Sequence, residues 1–309
     1  MYPTFLIAGP PRSASTSLYY YMCQHPQVYM SPAKETEFFT RDYYKGTDFY
    51  QQYFKKAGNA VAIGEATPAY SFLPFAADRI QAATPNVKLI FCFRNPVERA
   101  YSHWLMLYNE GIEEKNFSEA IRINKNQLRY INFEGDAGAE LWNKTAAHKK
   151  KEADWIRPYL HPGMYAASLK MYMKRFNTDN IKVIFTDDLK NNFDKTMQDL
   201  FTFIGVNNSF IVPVKTIQNA SGDKKIYRLL ASMFGFNVAG AVSKYVPASV
   251  KKIFRKEKSA HTSFSREDAL LLWQIYKPDI EELSKITGRD LSPWSPTDHF
   301  REHKMYGVV

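Results

Sequence analysis

The chain has 309 residues, 45% of them hydrophobic, and a formal net charge of +10. This length and apolar content are enough for a large domain with a substantial core, and they exclude an intrinsically disordered chain. The basic excess favours anionic partners such as nucleotides, nucleic acid, acidic glycans or membrane surfaces, without choosing among them.

The predicted elements alternate between strand and helix along the chain. The continuous apolar run Val87–Phe93 is typical of a strand buried on both faces, and proline 96 stands at the favoured first turn of the helix that follows. In chain order the predicted elements are a strand at Thr4–Ala8, a helix at Thr16–Gln24, a strand at Val87–Phe93, a helix at Pro96–Leu107, a strand at Ile181–Thr186, and helices at Phe193–Ile204 and Glu267–Ile286. This alternation predicts an α/β fold with a central parallel sheet and helices on both faces.

Weak strand signals mark two segments of what we predict to be one domain over 1–309. Residues 110–161 are polar and indicate a lid or insertion, and 210–260 indicate a helical, basic segment. The densest basic stretch, Lys244–Lys258, is either a solvated helix face or a contact with cofactor phosphate or a membrane surface.

The chain shows no signal of a disulfide framework or a membrane span. Cys23 and Cys92 fit no metal-binding spacing and are predicted to be reduced core thiols, which suits a cytoplasmic protein. No apolar run approaches the ~18 residues of a spanning helix, and the best candidate, Met233–Val242, is too short.

A phosphate-binding turn is indicated where the first strand meets the first helix. Gly9–Ser17 reads GPPRSASTS, with small residues that let the backbone approach an anion, several hydroxyls, and the charge of Arg12. The turn lacks the lysine of a Walker A motif, since Ala14 and Ser15 stand where that motif has Gly and Lys. A serine-rich helix cap is the plainer alternative.

A second anion site is indicated at the end of the strand Val87–Phe93. A P-loop NTPase would often carry a magnesium-binding Asp there, whereas this chain has Arg94. Ser102 follows about two helical turns later and could face the same phosphate. The alternative is a surface arginine and an unrelated helix serine.

Taken together, these segments resemble the PAPS-dependent sulfotransferase family, in particular its bacterial and glycosaminoglycan-type branches; PAPS is 3′-phosphoadenosine-5′-phosphosulfate. FLIAGPPRSASTS is similar to the family's 5′-phosphosulfate loop, and LIFCFRNPVERAYSHW to its 3′-phosphate segment. Later stretches, PGMYAASLKMYMKRF, IKVIFTDDLKNNF and ITGRDLSPW, also resemble family blocks.

The resemblance implies a role for each matching residue. Residues that would hold the 5′-phosphosulfate are Arg12, Ser13, Ala14, Ser15, Thr16 and Ser17, and those that would hold the 3′-phosphate are Arg94 and Ser102. The family usually has Lys where this chain has Arg12 and Gly where it has Ala14. Because arginine keeps its proton, Arg12 would stabilise charge rather than act as a general acid.

A catalytic base is also implied. The segment Val61–Tyr70 resembles the glycosaminoglycan-branch segment whose glutamate is the base, which indicates Glu65, expected just after a short apolar strand. A glutamate paired with a nearby Lys or Arg is the alternative. His103 and His148 are weaker candidates for the base and for contact with the acceptor.

Two further charged features stay open. Lys34 could line the acceptor cleft or form a surface ion pair with Glu35 or Glu37. Asp187-Asp188 reads as a strand-to-helix turn rather than a metal site.

The sequence as a whole predicts a cytoplasmic sulfotransferase that moves a sulfuryl group from PAPS to a hydroxyl or amine and releases PAP (3′-phosphoadenosine-5′-phosphate), with no required metal. The acceptor is expected to be a small molecule of secondary metabolism, with no nucleic acid partner and no membrane span; a saccharide acceptor is the first alternative. A P-loop phosphoryl-transfer enzyme and a non-catalytic basic module that binds polyanions are the rivals from other classes. The oligomeric state is not readable.

Overall fold

The computed structural model describes residues 1–147, 156–215 and 265–296. Its centre is a five-stranded sheet in the order β2-β3-β1-β4-β5, with every neighbouring pair parallel. The strands are β1 (Phe5–Ile7), β2 (Val28–Met30), β3 (Ala62–Ala66), β4 (Lys88–Phe93) and β5 (Ile181–Phe185). The predicted parallel α/β architecture is confirmed.

Helices follow most of the strands. The α-helices are α1 (Ser15–Cys23), α2 (Thr47–Gln51), α3 (Pro74–Ala83), α4 (Pro96–Asn109), α5 (Phe117–Gln127), α6 (Gly135–Ala147), α7 (Tyr165–Met173), α8 (Thr186–Asn191), α9 (Phe193–Ile204) and α10 (Arg266–Thr287). Short 3₁₀ or π turns lie at Phe38–Asp42, Tyr43–Lys45, Gln52–Phe54, Pro68–Phe72, His161–Gly163, Thr178–Asn180 and Ser292–Trp294.

The sheet separates two hydrophobic layers, as the apolar runs predict. In β4, Leu89, Phe91 and Phe93 pack into the layer that also holds α3, α4 and α7. The alternate residues Ile90 and Cys92 face the other layer, with α1 and α9. Both faces of β4 are covered by these layers, so the residues that point to either face must be apolar. This explains the continuous apolar run of the strand.

The end of β3 differs from the sequence expectation. The strand continues through Glu65 to Ala66, so Glu65 lies inside it rather than after it, and pairs in register with Leu6 of β1. Gly64 precedes it because a Cβ there would lie 2.3 Å from the ring of Phe5. The Glu65 side chain therefore lies in the core, at a position that its polarity alone would assign to a loop.

The described part of segment 110–161 is anchored to the main core. Phe117, Ala120 and Ile121 of α5 are buried against α4. The buried Glu113 carboxylate accepts from Arg157 Nε at 2.8 Å and from Tyr159 Oη at 3.0 Å, and so ties both ends of the segment together. Most of the predicted basic segment 210–260, including Lys244–Lys258, lies outside the described residues.

None of the helices in the described ranges is both long enough and apolar enough to cross a membrane.

Candidate functional site

The turn between β1 and α1 is shaped to leave backbone amides available. Gly9 lets the chain leave β1 close to β4, since a Cβ there would lie 3.1 Å from both N and O of Cys92. Arg12 and Ala14 have left-handed backbone angles, with φ of 72° and 62°. Ala14 is the N-cap of α1, and it makes no side-chain cap hydrogen bond. The helix thus begins at Ser15, Thr16 and Ser17 with its positive end uncapped by a side chain.

Ser13 lies beneath this turn with its hydroxyl unused. It is fully buried, and its Oγ makes no hydrogen bond of normal geometry with the described residues. Burial raises the pKa of the neighbouring Tyr165 phenol, and a hydrogen-bond interaction with the Ser13 hydroxyl acts against that rise, although it falls short of the geometry of a normal hydrogen bond. The Tyr165 hydroxyl itself donates to the carbonyl oxygen of Arg94 at 2.8 Å. A buried hydroxyl without a partner is uncommon and indicates a place for a ligand.

Arg12 reaches from the turn to α4. Its Nε donates to Ser102 Oγ at 3.0 Å and its Nη1 contacts Met106 Sδ at 3.7 Å. Burial lowers the pKa of the Arg12 guanidinium, the charge of Arg94 lowers it further, and Glu110 acts in the opposite direction. Arg12 therefore joins the turn to α4, the helix that Arg94 precedes.

Arg94 follows β4 directly and is held by the helix that it precedes. Its Nε and Nη2 donate to Glu98 Oε2 at 3.1 and 2.9 Å, one helical turn on. Asn95 caps α4 by accepting from the amide of Val97 at 3.0 Å. The structure thus pairs the Ser102 hydroxyl with Arg12, and the contact of Ser102 and Arg94 with one phosphate stays a prediction. Arg94 instead has Glu98 as its partner, a contact that the i,i+4 spacing could have indicated.

Glu65 is enclosed by hydroxyl groups. Its carboxylate is fully buried and accepts from Thr36 Oγ1, Thr67 Oγ1 and Tyr50 Oη, each at 2.7 Å, and from Tyr70 Oη at 3.1 Å. Burial raises the pKa of Glu65, and the four hydrogen bonds counteract the rise. The partners are hydroxyls rather than the Lys or Arg of the alternative interpretation.

The weaker sequence candidates are placed differently. Lys34 Nζ pairs with Glu35 Oε1 at 3.1 Å, which is the ion-pair alternative for this residue. His103 is buried, and its pKa is lowered well below the usual value by burial and by the charges of Arg99 and Arg12. A neutral, enclosed imidazole is typical of helix packing. His148 lies outside the described residues.

The carboxylates after β5 have structural partners. Asp188 Oδ2 accepts from the amide of Phe185 at 3.0 Å, and Asp187 Oδ2 accepts from Trp294 Nε1 at 3.4 Å. In the described ranges no group of three or more His, Cys, Asp or Glu residues is arranged to hold a metal ion.

Comparison with known proteins identifies the family. A model described as "Sulfotransferase domain" matches residues 2–225. The chain belongs to the sulfotransferase family. A crystal structure of a sulfotransferase from Alicyclobacillus acidocaldarius superposes with a TM-score of 0.67 at 23% identity, covering 95% of this chain and 99% of that one, which shows the shared fold.

Curated relatives match over shorter regions. "Membrane-associated sulfotransferase kil1" of Dictyostelium discoideum is 37% identical over 33% of this chain and 22% of its own length. "Bifunctional heparan sulfate N-deacetylase/N-sulfotransferase 1" of Caenorhabditis briggsae is 28% identical over 64% of this chain and 22% of its own length. This sulfotransferase-family chain thus spans about a fifth of the length of the curated relatives that it matches.

Sequence reasoning missed several residues of the site in this family member. Arg99, inside the RNPVERAYS segment, is fully buried, and its Nη1 donates to the carbonyl of Pro11 at 3.4 Å. Tyr165 joins the two anion segments, as described above. Arg99 could have been noticed from its place between Arg94 and Ser102; nothing in the chain near Tyr165 indicates its partner.

The residues present fit the doubly phosphorylated nucleotide that the sulfotransferase resemblance implies. The uncapped start of α1 and the unpartnered Ser13 hydroxyl suit one anionic group. Arg12 and Arg94 concentrate positive charge beside it, at the start of α4. Within the described residues, the fold therefore brings together both segments that the sequence indicated.

Proposed function

We propose that this chain transfers a sulfuryl group from PAPS to a hydroxyl or amine of an acceptor and releases PAP. The observation that carries the proposal is the hydrogen bond from Arg12 Nε to Ser102 Oγ at 3.0 Å, which joins the turn before α1 to α4, the helix that Arg94 precedes. A nucleotide with anionic groups at both ends needs two such anion sites, whereas an ordinary nucleoside triphosphate needs only one.

The proposed roles follow from these positions. The turn Arg12–Ser17 would hold the 5′-phosphosulfate, and Arg94 the 3′-phosphate. Ser102 would contact the 3′-phosphate only if that group lies between the two arginines, because its hydroxyl is bonded to Arg12. The acceptor atom would attack sulfur in line while the bond from sulfur to the 5′-phosphate oxygen breaks, with no covalent enzyme intermediate and no metal required. The charge of Arg12 would stabilise the departing phosphate.

Glu65 is the proposed base. Because its carboxylate is enclosed by four hydroxyls, a proton from the acceptor would reach it through one of them or after one has moved aside. The raised pKa makes the Glu65 carboxylate a stronger base than an ordinary glutamate.

Two acceptor classes are proposed. A small molecule of secondary metabolism, met in the cytoplasm, is the first, and a saccharide is the second. The saccharide is favoured by the names of the heparan sulfate relatives and by the resemblance of Val61–Tyr70 to the glycosaminoglycan branch. A PAPS-dependent screen of a metabolite extract and of desulfated heparan, tracking the product that gains one sulfuryl group, distinguishes them.

Arg94→Ala tests the nucleotide assignment. Loss of charge-assisted hydrogen bonds to a phosphate should weaken PAP binding roughly 30- to 100-fold, and binding of adenosine 5′-phosphosulfate much less, as measured by calorimetry. Arg175→Ala is the matched control, because Arg175 is similarly exposed and pairs with Asp78 at 2.6 Å. Equal losses for the two nucleotides would remove Arg94 from this role.

Glu65→Gln tests the base. It should lower kcat by roughly 100-fold or more while PAP affinity stays within about threefold. Since a base must be deprotonated and the pKa of Glu65 is raised, wild-type kcat should fall with decreasing pH at a pH above the ordinary glutamate range. Wild-type turnover in the variant would assign proton removal to another group.

A further inference from the structure

Arg99 is a buried cation for which the described structure offers no anionic partner. It lies in α4 with no exposed surface. Its Nη1 donates to the carbonyl of Pro11 at 3.4 Å and lies 3.5 Å from Nδ1 of His103, and its Nη2 donates to the carbonyl of Tyr159. Its Nε has no hydrogen-bond partner, and no carboxylate among the described residues forms an ion pair with it.

The groups around Arg99 do not neutralise it. Burial lowers the pKa of His161 to about 4, with a further contribution from Arg99, and the pKa of His103 is also lowered, so both rings are neutral near pH 7. The Tyr276 hydroxyl, which also adjoins Arg99, has its pKa raised to about 12 by burial. A buried charge that is matched only by carbonyl dipoles and neutral rings costs several kcal/mol.

The position of Arg99 relates this charge to the nucleotide site. Pro11 immediately precedes Arg12 and stands two residues before Ser13, so the Arg99 guanidinium contacts the phosphate-binding turn from the core side. Arg99 also contributes to lowering the pKa of His103, as does Arg12, so the two arginines act on a common neighbour. Positive potential beneath the turn would be compensated when an anion binds above it.

We propose that Arg99 is a positioning residue for the donor nucleotide: it holds the Pro11 carbonyl in place and supplies buried positive charge that the anionic group of the donor compensates. The proposal rests on the proposed function, since it assumes a nucleotide at this turn. The competing explanation is that Arg99 only joins α4 to Pro11 and Tyr159 by hydrogen bonds.

Charge-retaining and neutral variants distinguish the two explanations. Arg99→Lys keeps the charge, whereas Arg99→Gln keeps hydrogen-bond donors and loses the charge; both lose the guanidinium fork. We expect PAP affinity, measured by calorimetry, to be roughly 10- to 100-fold weaker in Arg99→Gln than in Arg99→Lys, with similar thermal midpoints for the nucleotide-free variants. KM for PAPS should rise in Arg99→Gln with a smaller change in kcat.

Controls keep the outcomes separate. Arg79→Gln is the matched control, because Arg79 Nη1 also donates to two backbone carbonyls, those of Phe39 and Thr40, both at 3.1 Å; it should leave PAP affinity unchanged. If Arg99→Gln does not fold, Arg99→Met provides a second neutral variant. PAP affinity in the folded neutral variant within twofold of that in Arg99→Lys would overturn the proposal for Arg99. Failure of wild-type protein to bind PAP would instead overturn the proposed function.

Discussion

The unused hydroxyl of Ser13 leads to a prediction in which stability and binding change in opposite directions. Ser13 Oγ is fully buried without a hydrogen bond of normal geometry, and an unsatisfied buried hydroxyl costs about 1–3 kcal/mol. The backbone of Ser13 is not among the left-handed positions of the turn, so alanine fits it without strain. Ser13→Ala should therefore raise the free energy of unfolding of the nucleotide-free protein by about 1 kcal/mol.

The same substitution should weaken nucleotide binding. Loss of one charge-assisted hydrogen bond, worth about 1.5–3 kcal/mol, corresponds to roughly a 10- to 100-fold loss of PAP affinity. Urea denaturation followed by circular dichroism gives the stability, and calorimetry gives the affinity. Ser71→Ala is the control, because buried Ser71 donates to the carbonyl of Pro68 at 2.8 Å and should lose stability without losing affinity. A less stable Ser13→Ala protein, or one with wild-type PAP affinity, would refute the reasoning.

Two other predictions follow from buried groups. Tyr165→Phe keeps the ring stacked on Phe93 at 4.3 Å but leaves the Arg94 carbonyl without its donor. The free energy of unfolding should therefore fall by about 1–3 kcal/mol, and PAP affinity should also fall. Unchanged urea denaturation curves would contradict this prediction. Burial raises the pKa of the Cys23 thiol to about 12, so little of the reactive thiolate is present at pH 8. Alkylation of Cys23 by iodoacetamide at pH 8 should therefore be at least roughly 100-fold slower in native protein than in urea. Mass spectrometry of the Cys23 peptide measures the two rates. Similar rates in the two conditions would show that the thiol is not protected.

The fold was predictable because its signals are local. The apolar run of β4 and the spacing of apolar residues along α9 involve residues that are close together in the chain. Helix α9 spans Phe193–Ile204, as predicted. The turn Gly9–Ser17 likewise indicates an anion site through its own residues. The roles of the individual side chains within these segments stay predictions.

The contacts of each side chain were less predictable. Glu65 was expected just after a strand, with pairing to a cation as the alternative. Its carboxylate is instead held within β3 by hydroxyls that include those of Tyr50 and Thr36, 15 and 29 residues away in the chain. The Ser102 hydroxyl accepts from Arg12, 90 residues distant in sequence, and no local pattern indicates that partner. The periodicity of the sequence does not indicate these hydrogen-bond partners, because several polar groups of the right type are present for each side chain.

The amino-acid sequence by itself determined that this chain forms a parallel α/β sheet with arginine-containing turns before two helices, because the backbone of each element depends on its own residues. Only the tertiary structure decided that Arg99 lies under the first turn with no anionic partner in the described residues, and that Glu65 is enclosed by hydroxyls. Burial and partner choice depend on distances across the packed core, and these exist only once the chain has folded.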